Sequence, residues 1–317
     1  MHPSRRFSSF AALPMLAILT TLATLPGLAN AGVPQVVTDM PVVQSLVAQV
    51  MGELGSPAVL LEQGADLHSF QLRPSQARAV ADADLLFWVG PELTPWLERA
   101  IGTIGIKGQA VALLHAPAVN RIATSDRPLG EAGALADPEP ASPAALDPHA
   151  WLDPGNARVW IAAIAAELAR TDPGNAATYA ANAAVADARV ARLDARLKAT
   201  LAPVGAAPIV VYHDAYGYFA AHFGVNIVGE IELGDASAPS AAKLAALRDV
   251  LAAQGAVCIF PEAQHDPRLL VSLVAGTGVK IGTPVDPEGT TLPYGPGLYG
   301  DLLTALASAI ERCVTGP

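Results

Sequence analysis

DPGNAATYAANAAVADARVARLDARLKATL, residues 172–201, has no glycine after Gly174 and no proline after Pro173. Asp172 is suited to cap a helix and Pro173 to open it, because proline's fixed φ and missing N–H fit the first helical turn. The remainder is rich in Ala, with Arg, Asp and Lys, so the stretch predicts one unbroken helix of about 45 Å at ~1.5 Å per residue. Such a helix can run the length of a molecule as a strut. A coiled-coil partner helix is the alternative, but most of the apolar positions are Ala, too small for a strong seam.

Short apolar runs flank this helix on both sides. Residues 36–38, 58–61, 85–89 and 110–114 precede it, and 209–212, 225–228, 257–260 and 279–282 follow, spaced by segments of helical periodicity such as 240–253. Apolar runs alternating with helices are the pattern of parallel strands joined by crossover helices. The expected fold is therefore α/β, with an N-terminal lobe over 32–171, a rigid linking helix over 172–201 and a C-terminal lobe over 202–317. The architecture is duplicated without a visible residue-level repeat.

Residues 1–31 read as a secretory signal. Arg5 and Arg6 form a basic start, residues 10–25 are nearly all apolar, and Ala29-Asn30-Ala31 fits the small-x-small cleavage pattern. A membrane span competes with this reading, but Pro14 and Pro26 interrupt the run and no basic stop-transfer cluster follows. The paired arginines permit a twin-arginine route, yet Ser8 and Ser9 stand where apolar residues belong, which favours ordinary secretion. With no Cys at the cleavage point, a lipid anchor is not expected, and a soluble periplasmic protein is.

Without the leader about 286 residues remain, more than one core usually organises. They carry 17 basic and 29 acidic side chains, a net charge of −12. That balance argues against nucleic acid or an anionic membrane as partner and is compatible with a cationic ligand. The only cysteines are Cys258 and Cys313. In an exported chain an even pair points to one disulfide, with two buried free thiols as the alternative. Residues 125–145 hold Pro, Ala, Gly and four acids with no aromatic residue, and are expected to form a mobile surface loop.

Chemistry concentrates at three histidines. Residues 146–154 set His149 between Asp147-Pro148 and Asp153-Pro154, and each Asp-Pro step stiffens the backbone around it. His213 directly follows the run 209–212, and His68 follows 58–61 through a short loop. In open parallel sheets ligands bind beyond the carboxyl ends of the strands, so these residues can meet in a crevice between the lobes. Asp286, in Val285-Asp286-Pro287-Glu288-Gly289, follows the last run and belongs to the same edge. Three imidazoles and a carboxylate form a set for a first-row transition metal, and neutral imidazole suits zinc. Of the other histidines, His222 falls on a helix and His115 and His265 fall in loops with no obvious partner, although His265 follows a strand, which leaves a place near the crevice as its alternative. The string Gly295-Pro296-Gly297-Leu298-Tyr299-Gly300 matches a dinucleotide fingerprint in letters only; no strand precedes it, so it reads as a helix-opening loop.

Together these loops resemble the metal-binding components of ABC importers in cluster A-I, most closely the zinc-binding members of the ZnuA type. The likeness covers nearly the whole mature chain. Gly64-Ala65-Asp66-Leu67-His68-Ser69-Phe70-Gln71-Leu72-Arg73-Pro74-Ser75 is similar to the family's first ligand loop, and Ala83-Asp84 through Trp88-Val89-Gly90-Pro91-Glu92 to its next strand and turn. His149-Ala150-Trp151-Leu152-Asp153-Pro154 is similar to the second ligand loop. His213-Asp214-Ala215-Tyr216-Gly217-Tyr218-Phe219 is similar to the third, the most specific of the set. The resemblance implies zinc ligands at His68, His149 and His213, a disulfide between Cys258 and Cys313, and two α/β lobes bridged by a long helix with the metal between them. The chain departs from the pattern in two places. Its acidic tract 125–145 lacks the histidines that zinc members often carry there, and Leu67 stands where some members place Glu before the first ligand. The fourth coordination position is thus left to Asp286 or a water.

The resemblance further implies a non-catalytic, monomeric carrier that captures zinc in the periplasm and delivers it to an ABC permease in the inner membrane. A manganese or iron carrier is the alternative within that class, but manganese members have Glu where this chain has His213, and an imidazole there favours zinc. A zinc hydrolase is the rival from another class, since three protein ligands and a water also form a catalytic site, with Glu262 available as base. A carrier buries its metal, whereas an enzyme needs a cleft for its substrate.

Overall fold

The computed structural model describes residues 32–65, 67, 70–123, 146–231 and 241–316. The leader expected over 1–31, the tract 125–145 and the candidate ligand His68 lie outside the described residues.

Each half of the chain builds a four-stranded parallel sheet. The first comprises β1 (Val36–Thr38), β2 (Ala58–Val59), β3 (Leu85–Trp88) and β4 (Gln109–Ala112) in the order β2-β1-β3-β4. The second comprises β5 (Pro208–Val211), β6 (Asn226–Glu230), β7 (Cys258–Ile259) and β8 (Lys280–Ile281) in the order β6-β5-β7-β8. The same spatial order recurs, so the duplication of architecture is real. All eight strands fall within or beside the apolar runs of the sequence, and most are shorter. Leu60 and Leu61 show why: their N–H groups still bond Thr38 and Asp39 at 2.8 and 2.9 Å, prolonging the β1–β2 pairing after the regular strand has ended.

Strand alternation divides the apolar side chains between layers. On β3, Leu85 and Phe87 enter the main core while Leu86 and Trp88 face a second cluster with Val37, Leu60, Val80 and Leu97. On β5, Ile209 and Val211 enter the same main core, and Val210 faces a third cluster with Val228, Leu247, Leu251 and Ile259. Successive side chains on a strand point to opposite faces, so each sheet packs its own helices on one face. These are α2 (Pro74–Asp82) and α3 (Pro95–Ile104) on the first sheet, and α7 (Ala241–Ala253) and α8 (Arg268–Val274) on the second. The other faces share one continuous core.

Four further helices fill that shared core: α1 (Pro41–Met51), α4 (Pro154–Thr171), α5 (Ala176–Leu201) and α9 (Leu298–Thr315). The linking helix α5 begins at Ala176, after a 3-10 turn Pro173–Asn175, rather than at Pro173. Asp172 accepts from Asn175 Nδ2 at 2.7 Å and from the Tyr179 hydroxyl at 2.9 Å, which tightens the chain before the α-helix starts. At ~1.5 Å per residue α5 is then about 39 Å long rather than 45 Å. It buries Tyr179, Ala186, Val190, Leu193, Leu197 and Leu201, a stripe at helical spacing, against α4, α9 and α1. The helix is therefore a packed strut, covered by helices from both halves, and not a lone coiled-coil strand.

Cys258 on β7 and Cys313 near the end of α9 form a disulfide across 55 residues. The string Gly295-Pro296-Gly297 leads straight into α9, as expected of a helix-opening loop.

Candidate metal centre

The residues 146–154 are organised from their aspartates outward. Asp147 is fully buried; its Oδ1 accepts the His149 backbone N–H at 2.9 Å and lies 2.9 Å from His149 Nδ1. The side chain two residues upstream thus fixes both the backbone and the ring. After the 3-10 turn Ala150–Leu152, Asp153 caps α4 by accepting the Gly155 N–H at 2.7 Å, with Pro154 at the first helical position. The two Asp-Pro steps have different tasks: the first aims an imidazole and the second starts a helix.

His213 sits directly beyond β5. Its Nδ1 lies 2.7 and 2.8 Å from the two oxygens of Glu262, a residue just past β7, and Glu262 Oε1 also accepts the Tyr216 hydroxyl at 2.8 Å. Burial, and then the charge of Glu262, push the Tyr216 phenol far above its usual range, so it remains a donor. The neighbouring strands β5 and β7 bring these two residues, 49 positions apart, to one edge.

The two imidazoles meet edge to face with centroids 5.5 Å apart, and both are buried, at 2% and 5% exposure. A carboxylate on Nδ1 holds the proton there and turns the Nε2 lone pair away from it, the arrangement that carboxylate-backed histidines adopt toward a metal. His149 Nε2 has no hydrogen-bond partner among the described residues although it is buried, a costly condition that a metal ion would relieve. Two imidazoles bound through nitrogen at about 2.0–2.1 Å to one tetrahedral ion have centroids about 5 Å apart, close to the separation seen.

The other expected residues are placed as follows. The described flanks of the first loop are tied to the last: Gly64 N–H donates to Thr290 O at 2.9 Å, Gln63 Nε2 to Leu292 O at 3.2 Å and the Tyr294 hydroxyl to Leu61 O at 3.2 Å. Leu67 is fully buried, and its carbonyl accepts Trp96 Nε1 at 3.3 Å. Asp286 lies half-buried in that last loop. Its Oδ1 accepts Gln264 Nε2 at 3.0 Å and Gly289 N–H at 2.8 Å, and its Oδ2 accepts the N–H and hydroxyl of Thr291 at 2.7 and 2.6 Å. A carboxylate offers about four lone-pair positions, and all of these are engaged.

Three histidines read as lacking partners or as bland have specific ones. His115 Nε2 lies 2.8 Å from Glu92. His265 stacks on Tyr212 at 4.1 Å and lies 3.9 Å from Glu262, which puts it beside the site. His222, on α6 (Gly217–Phe223), bridges Asp153 and Asp194. Sequence reasoning also missed Asp147 as the orienting carboxylate, although an Asp two residues before a turn residue is a known backbone-capping signal. It missed Trp151 too, which is fully buried and ties the second loop to the last by donating from Nε1 to Pro287 O at 2.8 Å. Glu262, read as a possible base, is buried with both oxygens turned to His213.

The model of the family described as ZnuA, zinc-uptake complex component A, periplasmic, matches residues 36–313. A high-affinity zinc uptake system protein ZnuA of Paracoccus denitrificans is 47% identical over an alignment of 321 residues, covering 95% of this chain and 97% of its own length. The protein of the same description from Brucella suis is 32% identical over 306 residues, covering 88% and 91%. Among solved structures, a crystal structure of ZnuA matches with a TM-score of 0.73 at 24% identity, covering 88% of this chain and 98% of that one. The manganese complex of FpvC from Pseudomonas aeruginosa matches with a TM-score of 0.76 at 20% identity, covering 89% and 99%, and so shares the fold. By a family match spanning nearly its whole length, the chain belongs to the ZnuA family of periplasmic zinc-uptake complex components.

Proposed function

We propose that this protein captures zinc in the periplasm and hands it to an ABC permease in the inner membrane. Zinc is the cargo, held between the lobes by His68 and by Nε2 of His149 and His213. The observation that carries the reading is the pair of buried imidazoles 5.5 Å apart, each with Nδ1 against a buried carboxylate. The fourth position falls to Asp286, directly at the expense of one of its four bonds, or through a water molecule. The relatives named above are described as zinc uptake proteins, which supports zinc over manganese or iron as the ion.

A carrier suits the site better than a hydrolase. Glu262 is buried, backs His213 with both oxygens and accepts the Tyr216 hydroxyl, so it serves to orient a ligand rather than standing as a free base beside a substrate cleft. We further propose that residues 1–31 are removed on export, that 32–171 and 202–317 form two lobes joined by 172–201, and that the carrier acts as a monomer. The test is metal analysis of protein purified without added metal, followed by calorimetric zinc titration of the wild type and of His68→Ala, His149→Ala and His213→Ala. One zinc per chain and a loss of affinity in each variant is expected; a variant that keeps wild-type affinity removes that residue from the site.

A further inference from the structure

His222 stands nine positions after His213 and is about four-fifths buried. Each ring nitrogen faces a carboxylate: Nδ1 lies 2.8 Å from Asp153 Oδ1, and Nε2 lies 2.8 Å from Asp194 Oδ1. A neutral imidazole has one donor and one acceptor nitrogen, so two ionised carboxylates on opposite sides are satisfied only by the doubly protonated ring. The two acids belong to different elements. Asp153 caps α4 directly after the turn that carries His149, and Asp194 lies in the C-terminal half of the linking helix α5. Lys198, one turn along α5, also holds Asp194 at 2.9 Å.

Among the described residues, other charged and titratable groups lie on the packed elements. Arg158 on α4 is engaged by Asp187. The phenols of Tyr218 on α6 and Tyr299 on α9 feel the charge of Asp153, and burial pushes both phenols upward. The result is one cation clamped between two anions where the second ligand loop, the helix behind the third ligand loop and the strut come together.

We propose that His222 is a positioning residue for zinc capture, holding the loop of His149 and the helix behind His213 against the linking helix so that the two imidazoles keep their separation. The proposal rests on the zinc reading of the site. It treats His222 as touching no metal and acting through the backbone segments it joins.

The direction with pH follows from the charges. The hydrogen bond that His222 donates to Asp153, and then the one it donates to Asp194, raise its pKa above the usual 6.5 against the effect of burial. A raised value in the folded state means that the brace is complete below the ordinary histidine range and is lost as pH rises through the folded value. Zinc affinity itself changes with pH because protons compete for the ligands, but the ratio of two proteins sharing those ligands cancels that dependence.

The experiment is zinc competition against a chromophoric chelator, comparing wild type with His222→Gln from about pH 6 to about pH 9. At the acid end the variant is expected to bind about fivefold more weakly, and the ratio should shrink toward one as pH rises. A ratio that stays constant across the range, or equals one throughout, overturns the proposal. If His222→Gln fails to fold, Asp194→Asn, which removes one side of the clamp and leaves the cap of α4, is compared in the same way and decided by the same ratio. A wild type that takes up no zinc at any pH overturns the reading of the site together with this proposal, whereas a pH-independent ratio overturns the brace alone.

Discussion

A histidine offers a metal one nitrogen, so the group bonded to the other nitrogen decides its tautomer and aim. Here that group is Asp147 for His149 and Glu262 for His213. Asp147→Asn and Glu262→Gln are therefore expected to weaken zinc binding by about 10- to 100-fold while leaving all proposed ligands in place. Calorimetric titration checks it, and unchanged affinity would mean that the backing carboxylates are structural only. Asp286→Ala should cost less than loss of any of the three histidines, because water can fill a vacated tetrahedral position. The same titration decides this; a loss as large as theirs would make Asp286 an indispensable ligand. His149 and His213 stood out in the sequence as candidates because one sits between prolines and the other follows an apolar run. Glu262 was legible only as an acid near a strand end, since its distance of 49 residues from His213 closes through sheet order, which no local pattern encodes.

Elements were read more securely than their ends. The strands announce themselves by apolar runs, whereas the stop of β2 at Val59 or the start of α5 at Ala176 depends on side chains such as Asp172 that compete with the backbone for hydrogen bonds. The loop pairings of the site were not legible at all. Trp151 reaching Pro287, and Gly64 reaching Thr290, join segments from opposite halves of the chain. The acidic tract 125–145 has no His or Cys to offer a metal as a nitrogen or sulfur ligand. Deleting residues 127–141 should therefore leave zinc affinity within about threefold, measured by titration of the deletion variant; a large loss would show that the tract takes part in holding the ion.

Over the whole molecule, the two sheets share one apolar core filled by α1, α4, α5 and α9, and a large apolar interface of that kind opposes wide hinge motion. The covalent tie between β7 and α9 adds to it. In the chain-entropy model, closing a 55-residue loop contributes about 4 kcal/mol, so Cys258→Ser with Cys313→Ser should lower the stability to denaturant by roughly that amount; an unchanged midpoint would contradict it. One zinc ion is expected between the halves, on three imidazoles. Zinc K-edge X-ray absorption of the protein loaded with one equivalent of zinc tests it most directly. Three imidazole nitrogens at about 2.0–2.1 Å are expected, with one oxygen completing the shell. A shell with fewer than three imidazoles, or one containing sulfur, would contradict it.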